Sequence, residues 1–446
     1  MSHRITNKPI SSFLVLVLLF SIILSIPLAC ASNHSSSDAM LHIGPLVNAR
    51  MKALAVTTDP EGKTITNEIK AIRMADSLPT DFVPSEANTV SADNSRNPIY
   101  IFFDNTDDAG IMYFYTESKM IAMNPYSGYL FANLNSLTDI SDISNWDTSN
   151  VTNMGGMFSG AKSLPDALAI RNWDTSSVTD MSYMFSNAIS LKFIDVSNWN
   201  TSKVTNMTCM FQVGESWKAN GQLTEILGLG DLDVSNVTDM TCMFYGAGQM
   251  TYYDVSRWNV SKVESMNHMF CDNRSLTSLD LSNWDVSSLK TVYDMFDDNV
   301  SLKTIGDVSR WNTVNLIDTG GWLDCAFSFV GNNEGTLDLS GWDTTNLKSA
   351  GGMFVGTALH TIDLSGWSFD AITNDRWKGA GQGFYYETGN DSEDLAGLGS
   401  MFREARQLVT VYVSQSGLDS FNTAVRNEIN TLDMWTRTQT DHFTVK

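Results

Sequence analysis

A row of aspartates at one fixed offset gives this chain its clearest opening for chemistry. Asp142, Asp195, Asp254, Asp280, Asp307, Asp338 and Asp363 each stand four residues before a tryptophan. If each sits on a strand whose side chains alternate, the carboxylates point away from the core and neighbours stack about 5 Å apart. Like charges at that spacing repel. The groups available to offset this are the serines two residues on (Ser197, Ser256, Ser282, Ser309, Ser340, Ser365), backbone N–H groups, solvent, or a bound cation. Clustered carboxylates are the chemistry of Ca²⁺, so Asp195, Asp254, Asp280, Asp307, Asp338 and Asp363 are the candidate metal ligands. No EF-hand spacing accompanies them, and a solvated acidic face is the competing reading.

Soft ligands are sparse. His268 and Cys271 are i and i+3, a spacing that could hold two positions of a zinc site, but no further ligands lie nearby in sequence. Cys209 and Cys242 each fall ten residues after their anchor position in consecutive copies of a repeat. They read either as small thiols on a packed face or as one disulfide in an oxidising compartment. The chain has no G-x-S-x-G, H-E-x-x-H, P-loop or paired C-x-x-C, and its histidines are scattered. An enzyme is therefore not expected.

These residues are positioned by a unit that recurs about every 26 residues from Leu130 to Val413, and periods of this length mark stacked repeats. Copies read SNWDTSNVTNMGGMF (Ser144–Phe158), RNWDTSSVTDMSYMF (Arg171–Phe185), SNWNTSKVTNMTCMF (Ser197–Phe211) and SRWNVSKVESMNHMF (Ser256–Phe270). The anchors are Trp146, Trp173, Trp199, Trp258, Trp284, Trp311, Trp342 and Trp367, with Leu232 standing in once. Before each anchor, runs such as LTSLDLS (Leu276–Ser282) alternate apolar and polar residues, as a half-buried strand does. After it, Val178, Met181, Met184 and Phe185 suggest one face of a short helix, with the preceding Asp-Thr-Ser as its cap. The expectation is an α/β chain: a leucine-rich-repeat-like solenoid with a parallel sheet and short helices, closed by a small N-terminal α+β segment.

The LxxLDLSxWDTSxVTxMxxMF pattern resembles the BspA-like leucine-rich repeat surface proteins over about two thirds of the chain. That resemblance implies a secreted or surface-attached binding protein of adhesin type, and names no ligand. The pair NPIYIFFD (Asn97–Asp104) and IMYFYTE (Ile111–Glu117) is similar to the strand pair that often precedes such arrays.

The N-terminus reads as an export signal, with Arg4 and Lys8 ahead of an apolar run from Phe13 to Ala29. Ala29-Cys30-Ala31 fits an A-x-A cleavage site, whereas Leu28-Ala29-Cys30 resembles a lipobox that would leave Cys30 lipidated. The divisions expected are a leader over 1–31, a Ser/Asn-rich tether over 32–39, an N-terminal cap over 40–129 with a helix near Asn67–Ala75, repeats over 130–413, and a C-terminal cap over 414–446 with Phe421–Leu432 helical. With 50 acidic against 28 basic residues the formal charge is −22, which disfavours nucleic acid and anionic membrane as partners. A membrane would be met only through the leader or a lipid.

Three copies carry extra residues, each with an off-register tryptophan: Trp217, Trp322 and Trp377. The longest, near 368–400, adds Phe384, Tyr385 and Tyr386. Aromatics on loops of a rigid scaffold suit stacking on sugars or packing on a protein, so these six are the candidate ligand-binding residues. The function expected is recognition of an extracellular protein or glycan. The alternative is a structural envelope component that self-associates through Ca²⁺ on the aspartate row.

Overall fold

The computed structural model describes residues 38–58, 64–66, 68–118, 120–214, 221–320, 335–351, 353–354, 357, 359–372, 401, 410–421 and 443–445. Cys30, Trp217, Trp322, Trp377, Phe384, Tyr385 and Tyr386 lie outside them, as does most of the helix expected over Phe421–Leu432. The described part is mixed α/β, with few helices and small parallel sheets. Among the described residues no helix is long and apolar enough to cross a membrane.

The N-terminal segment opens with helix α1 (Gly44–Leu54), which Pro45 starts at a first-turn position where a missing N–H costs nothing. A short antiparallel pair follows, β1 (Val56–Thr58) and β2 (Thr64–Thr66). Next come β3 (Ala71–Met74), β4 (Tyr100–Asp104) and β5 (Ile111–Tyr115) in the order β3-β5-β4. β4 and β5 form the hairpin legible in sequence. The helix expected over Asn67–Ala75 is replaced by β3, whose backbone is claimed on two sides. β3 pairs in parallel with β5, while the Ile72 N–H donates to the Asp139 carbonyl at 3.0 Å and Thr138 N–H to Lys70 O at 2.8 Å. Such ladder bonds outweigh the small differences in local propensity.

Within the copies, β6 (Asp166–Ala167), β7 (Phe193–Asp195) and β8 (Glu225–Leu227) form one parallel sheet. Further along, β9 (Thr336–Asp338), β10 (Thr361–Leu364), β11 (Thr410–Val413) and β12 (Phe443–Val445) form another. Between them Tyr252, Ser278 and Thr304 keep parallel pairing through single bridges. In the C-terminal segment, expected as a cap, the parallel edge of β11 recruits β12.

The expected short helices after each tryptophan are tandem turns instead. In one copy Met157 N–H donates to Met154 O, Ser159 to Gly156 and Ala161 to Phe158. The alternate N–H groups leave the copy altogether: Phe158 donates to Met184 O at 2.9 Å and Gly160 to Ser186 O at 2.7 Å. The cause is a left-handed residue inside each turn. Tyr129, Gly156, Tyr183, Cys209, Cys242, His268 and Asp294 occupy one position of successive copies with φ between 50° and 62°, which no right-handed helix accommodates. The inward face is nonetheless as the sequence suggests, since Val178, Met181, Met184 and Phe185 are fully buried. Their 3-3-1 spacing suits three-residue turns as well as a helix.

Stacking is thus built from two materials. Apolar rings align copy upon copy: Phe131, Phe158, Phe185, Phe211, Phe244, Phe270 and Phe296 follow one another with centroids 5.4 to 6.0 Å apart. Polar groups do the same. Thr148, Thr175, Thr201, Thr313 and Thr344 are buried and donate their hydroxyls to a carbonyl of the next copy at 2.8 to 3.0 Å. The Asp-Thr-Ser triplets therefore tie copies together rather than cap helices.

The open edge of this ladder is closed by α1. In later copies the carbonyls of Met157 and Ser159 accept from the preceding copy, but Leu130 and Ala132 have no preceding copy. The buried Asn48 amide donates to both, at 3.0 and 3.1 Å, and Lys52 reaches Ala132 O at 2.7 Å. Asn48→Ala should lower unfolding free energy by about 1–3 kcal/mol, because it strands a desolvated carbonyl. Urea titration would detect the loss, and an unchanged midpoint would show that α1 does not close the edge.

Candidate functional site

The aspartate row is neutralised largely by its own backbone. Oδ1 of Asp195, Asp280, Asp307, Asp338 and Asp363 each accepts the N–H two residues on, at 2.9 to 3.1 Å. Asp142 accepts the Met74 N–H at 2.9 Å. Arg171 lies 3.4 Å from Asp195, and Arg257 lies 3.8 Å from Asp254. At Asp307 the Ser309 hydroxyl and amide hold the carboxyl below its usual range. The row is uneven: Asp195 and Asp363 are buried, while Asp280, Asp307 and Asp338 are exposed. Among the described residues no three His, Cys, Asp or Glu side chains gather as a metal would require. His268 and Cys271 share a turn, but the Cys271 thiol donates to Asp297 at 3.8 Å.

The tryptophans also bridge copies. Nε1–H of Trp173, Trp199, Trp258, Trp284, Trp311, Trp342 and Trp367 each donates to a carbonyl of the preceding copy at 2.9 to 3.2 Å. Trp146 comes first, and its buried Nε1 has no partner among the described residues.

His268 sits in the left-handed column, with its ring edge-on to Tyr293 at 5.5 Å. Burial pushes its pKa down to about 4, although 18 % of the side chain remains exposed. Its Nδ1 lies 3.8 Å from Asp294, too far for a hydrogen bond. The folded protein keeps the ring neutral where the unfolded chain, near 6.5, takes up a proton. Stability from this residue is therefore complete above about pH 6.5 and falls between 6.5 and 4. Because the ring is partly exposed, the loss should be about 1–2 kcal/mol. Comparing urea midpoints at pH 7 and pH 4.5 tests this: His268→Asn, which tolerates the left-handed backbone, should flatten the slope, and an unchanged slope would contradict it.

One surface feature went unread in the sequence. On the outward side of the β6-β7-β8 sheet, Leu168, Phe193 and Leu227 are 46, 40 and 39 % exposed, and Tyr252 on the next copy is 46 % exposed. Register pairs Phe193 with Asp166 and Glu225, and Leu227 with Asp195. Large apolar side chains thus alternate with carboxylates across adjoining strands. The signal was available, because Phe193 and Tyr252 both stand six residues before an anchor, at an outward position where other copies carry Ser278 or Thr361.

Parallel-paired copies stacked on shared Trp, Phe and Thr columns define the class: a repeat protein. A family model described as "Mycoplasma protein of unknown function, DUF285" matches residues 128–226, 217–335 and 306–377, together more than half of the chain. The protein belongs to that family. No curated protein matches it. Among solved structures, the crystal structure of a TLR13–ssRNA13 complex is similar at 11 % identity with a TM-score of 0.13, a likeness too slight to carry an argument. That match covers 75 % of this chain, which spans 61 % of the other.

Proposed function

We propose that this is an exported binding protein of the BspA-like type, secreted or held at the cell surface, whose copies wind as a leucine-rich-repeat-like solenoid and recognise an extracellular protein or glycan. The observation that supports this best is the mixed apolar and acidic face of Leu168, Phe193, Leu227 and Tyr252. Exposed aromatics set among charges are the residues from which binding hot spots are made. Residues spread over adjoining copies suit a large partner better than a small one. The acidic setting favours a partner that is basic or neutral.

The test is a binding screen of residues 32–446 against extracellular-matrix proteins and a glycan array, with calcium and with chelator. Saturable binding should weaken at least about tenfold in Phe193→Glu/Tyr252→Glu, equivalent to about 1.4 kcal/mol, without loss of the folded circular-dichroism spectrum. Silence in both conditions would overturn the reading. Calcium-dependent self-association without partner binding would replace it with the envelope role.

A further inference from the structure

We propose that Cys209 and Cys242 form a disulfide that covalently joins two stacked copies, made by thiol exchange with a small-molecule or protein disulfide. This rests on the pairing of the two copies and is independent of the binding face.

The register brings the two residues into the same place. Cys209 N–H donates to Thr241 O at 2.8 Å, Phe211 N–H to Met243 O at 2.9 Å, and Asn206 bridges Asp239 in parallel. Cys209 is therefore the in-register neighbour of Cys242, and both have φ of 55°, so the two Cβ atoms leave their backbones in the same direction. Paired backbones stand about 5 Å apart, inside the roughly 4.4–6.8 Å between Cα atoms that disulfides span. The neighbouring Cys242 thiol, together with burial, holds the Cys209 thiol well above its ordinary value, as expected of two thiols brought side by side. All three described cysteines are free thiols, Cys209 and Cys271 buried and Cys242 half-buried.

Accessibility sets the order of events. Cys242 gives up its proton to solvent, and its sulfur attacks one sulfur of glutathione disulfide, forming a mixed disulfide and expelling one glutathione thiolate. Cys209, deprotonated in turn, attacks the Cys242 sulfur and expels the second glutathione. The two expelled thiolates take up the two protons released. Two protein thiols are oxidised to one disulfide while one glutathione disulfide is reduced to two thiols. Cys271 is left out because its thiol is turned to Asp297 at 3.8 Å.

The experiment is to equilibrate the reduced full chain with glutathione disulfide, alkylate the remaining thiols, and map the peptides by mass spectrometry. The expected result is a linked Cys209–Cys242 peptide pair with Cys271 alkylated, and a melting temperature raised by about 5 °C over the reduced form. Cys209→Ser should stop the reaction at one stable glutathione adduct on Cys242, and Cys242→Ser should leave Cys209 alkylated only after unfolding. Cys209 and Cys242 remaining unlinked, either one pairing with another cysteine, or glutathione persisting on Cys242 of the unsubstituted chain, would each overturn the proposal.

Discussion

Trp284→Ala should lower unfolding free energy by about 5 kcal/mol, counting the cavity left by the side chain and a stranded carbonyl. The indole is 3 % exposed, stacks on Trp311 with centroids 6.5 Å apart, and donates to Val255 O at 2.9 Å. Its removal damages contacts on both sides of one copy. Trp284→Phe separates the two contributions, because a ring remains but the donor does not. That variant should lose about 2 kcal/mol. Urea denaturation followed by far-ultraviolet circular dichroism measures both, and equal losses would mean that packing and the interstrand bond had been wrongly apportioned.

Gly228→Ala should be nearly as damaging for one added methyl group, at about 3 kcal/mol. Gly228 has φ of 79°, and a Cβ there would stand 2.3 Å from Ser197 Cα and 2.6 Å from its nitrogen. The left-handed backbone costs about 1–2 kcal/mol for an L side chain, and overpacking against a backbone that cannot rotate away adds about 1–3 kcal/mol. The glycine lets the chain absorb an extra residue after β8 before Leu232 takes the anchor position. Gly155→Ala is the control. Its φ is not left-handed and its Cβ would meet nothing nearer than 3.3 Å, so its melting curve should stay close to that of the parent.

The repeat, its anchors and its inward face were legible because each depends on residue type at a fixed interval. Trp173, Met181 and Phe185 announce burial wherever the backbone goes. The backbone's path between them was not legible, because three-residue turns and a helix share the spacing of Val178, Met181 and Met184. What decides between them is the left-handed residue, and Tyr183, Cys209 and Cys242 are not residues whose types advertise positive φ. The strand at Ala71–Met74 escaped notice for a related reason, since its partners Asp139 and Phe114 are distant in sequence. Asn48 carried no signal at all until the unmatched carbonyls of Leu130 and Ala132 were in place. Of the candidate sites, the aspartate row was visible as a pattern, and its neutralisation by amides two residues on was foreshadowed by the Asp-x-Ser spacing. The apolar face of Phe193 and Tyr252 was overlooked because repeats draw attention to what recurs, and this patch is a departure from recurrence.

The alternation of amide bonds within and between copies has a mechanical meaning. Each copy is held to the next by rows of short bonds running along the stack, and by a few aligned rings, rather than by one continuous helix. A terminus pulled away along that direction would load one row at a time and peel copies in sequence. Each released copy of about 26 residues would pay out roughly 85–95 Å of slack chain. A stack of this kind would lengthen stepwise under load while the remaining copies stay folded, and a Cys209–Cys242 crosslink would shorten one of those steps by locking the residues between them.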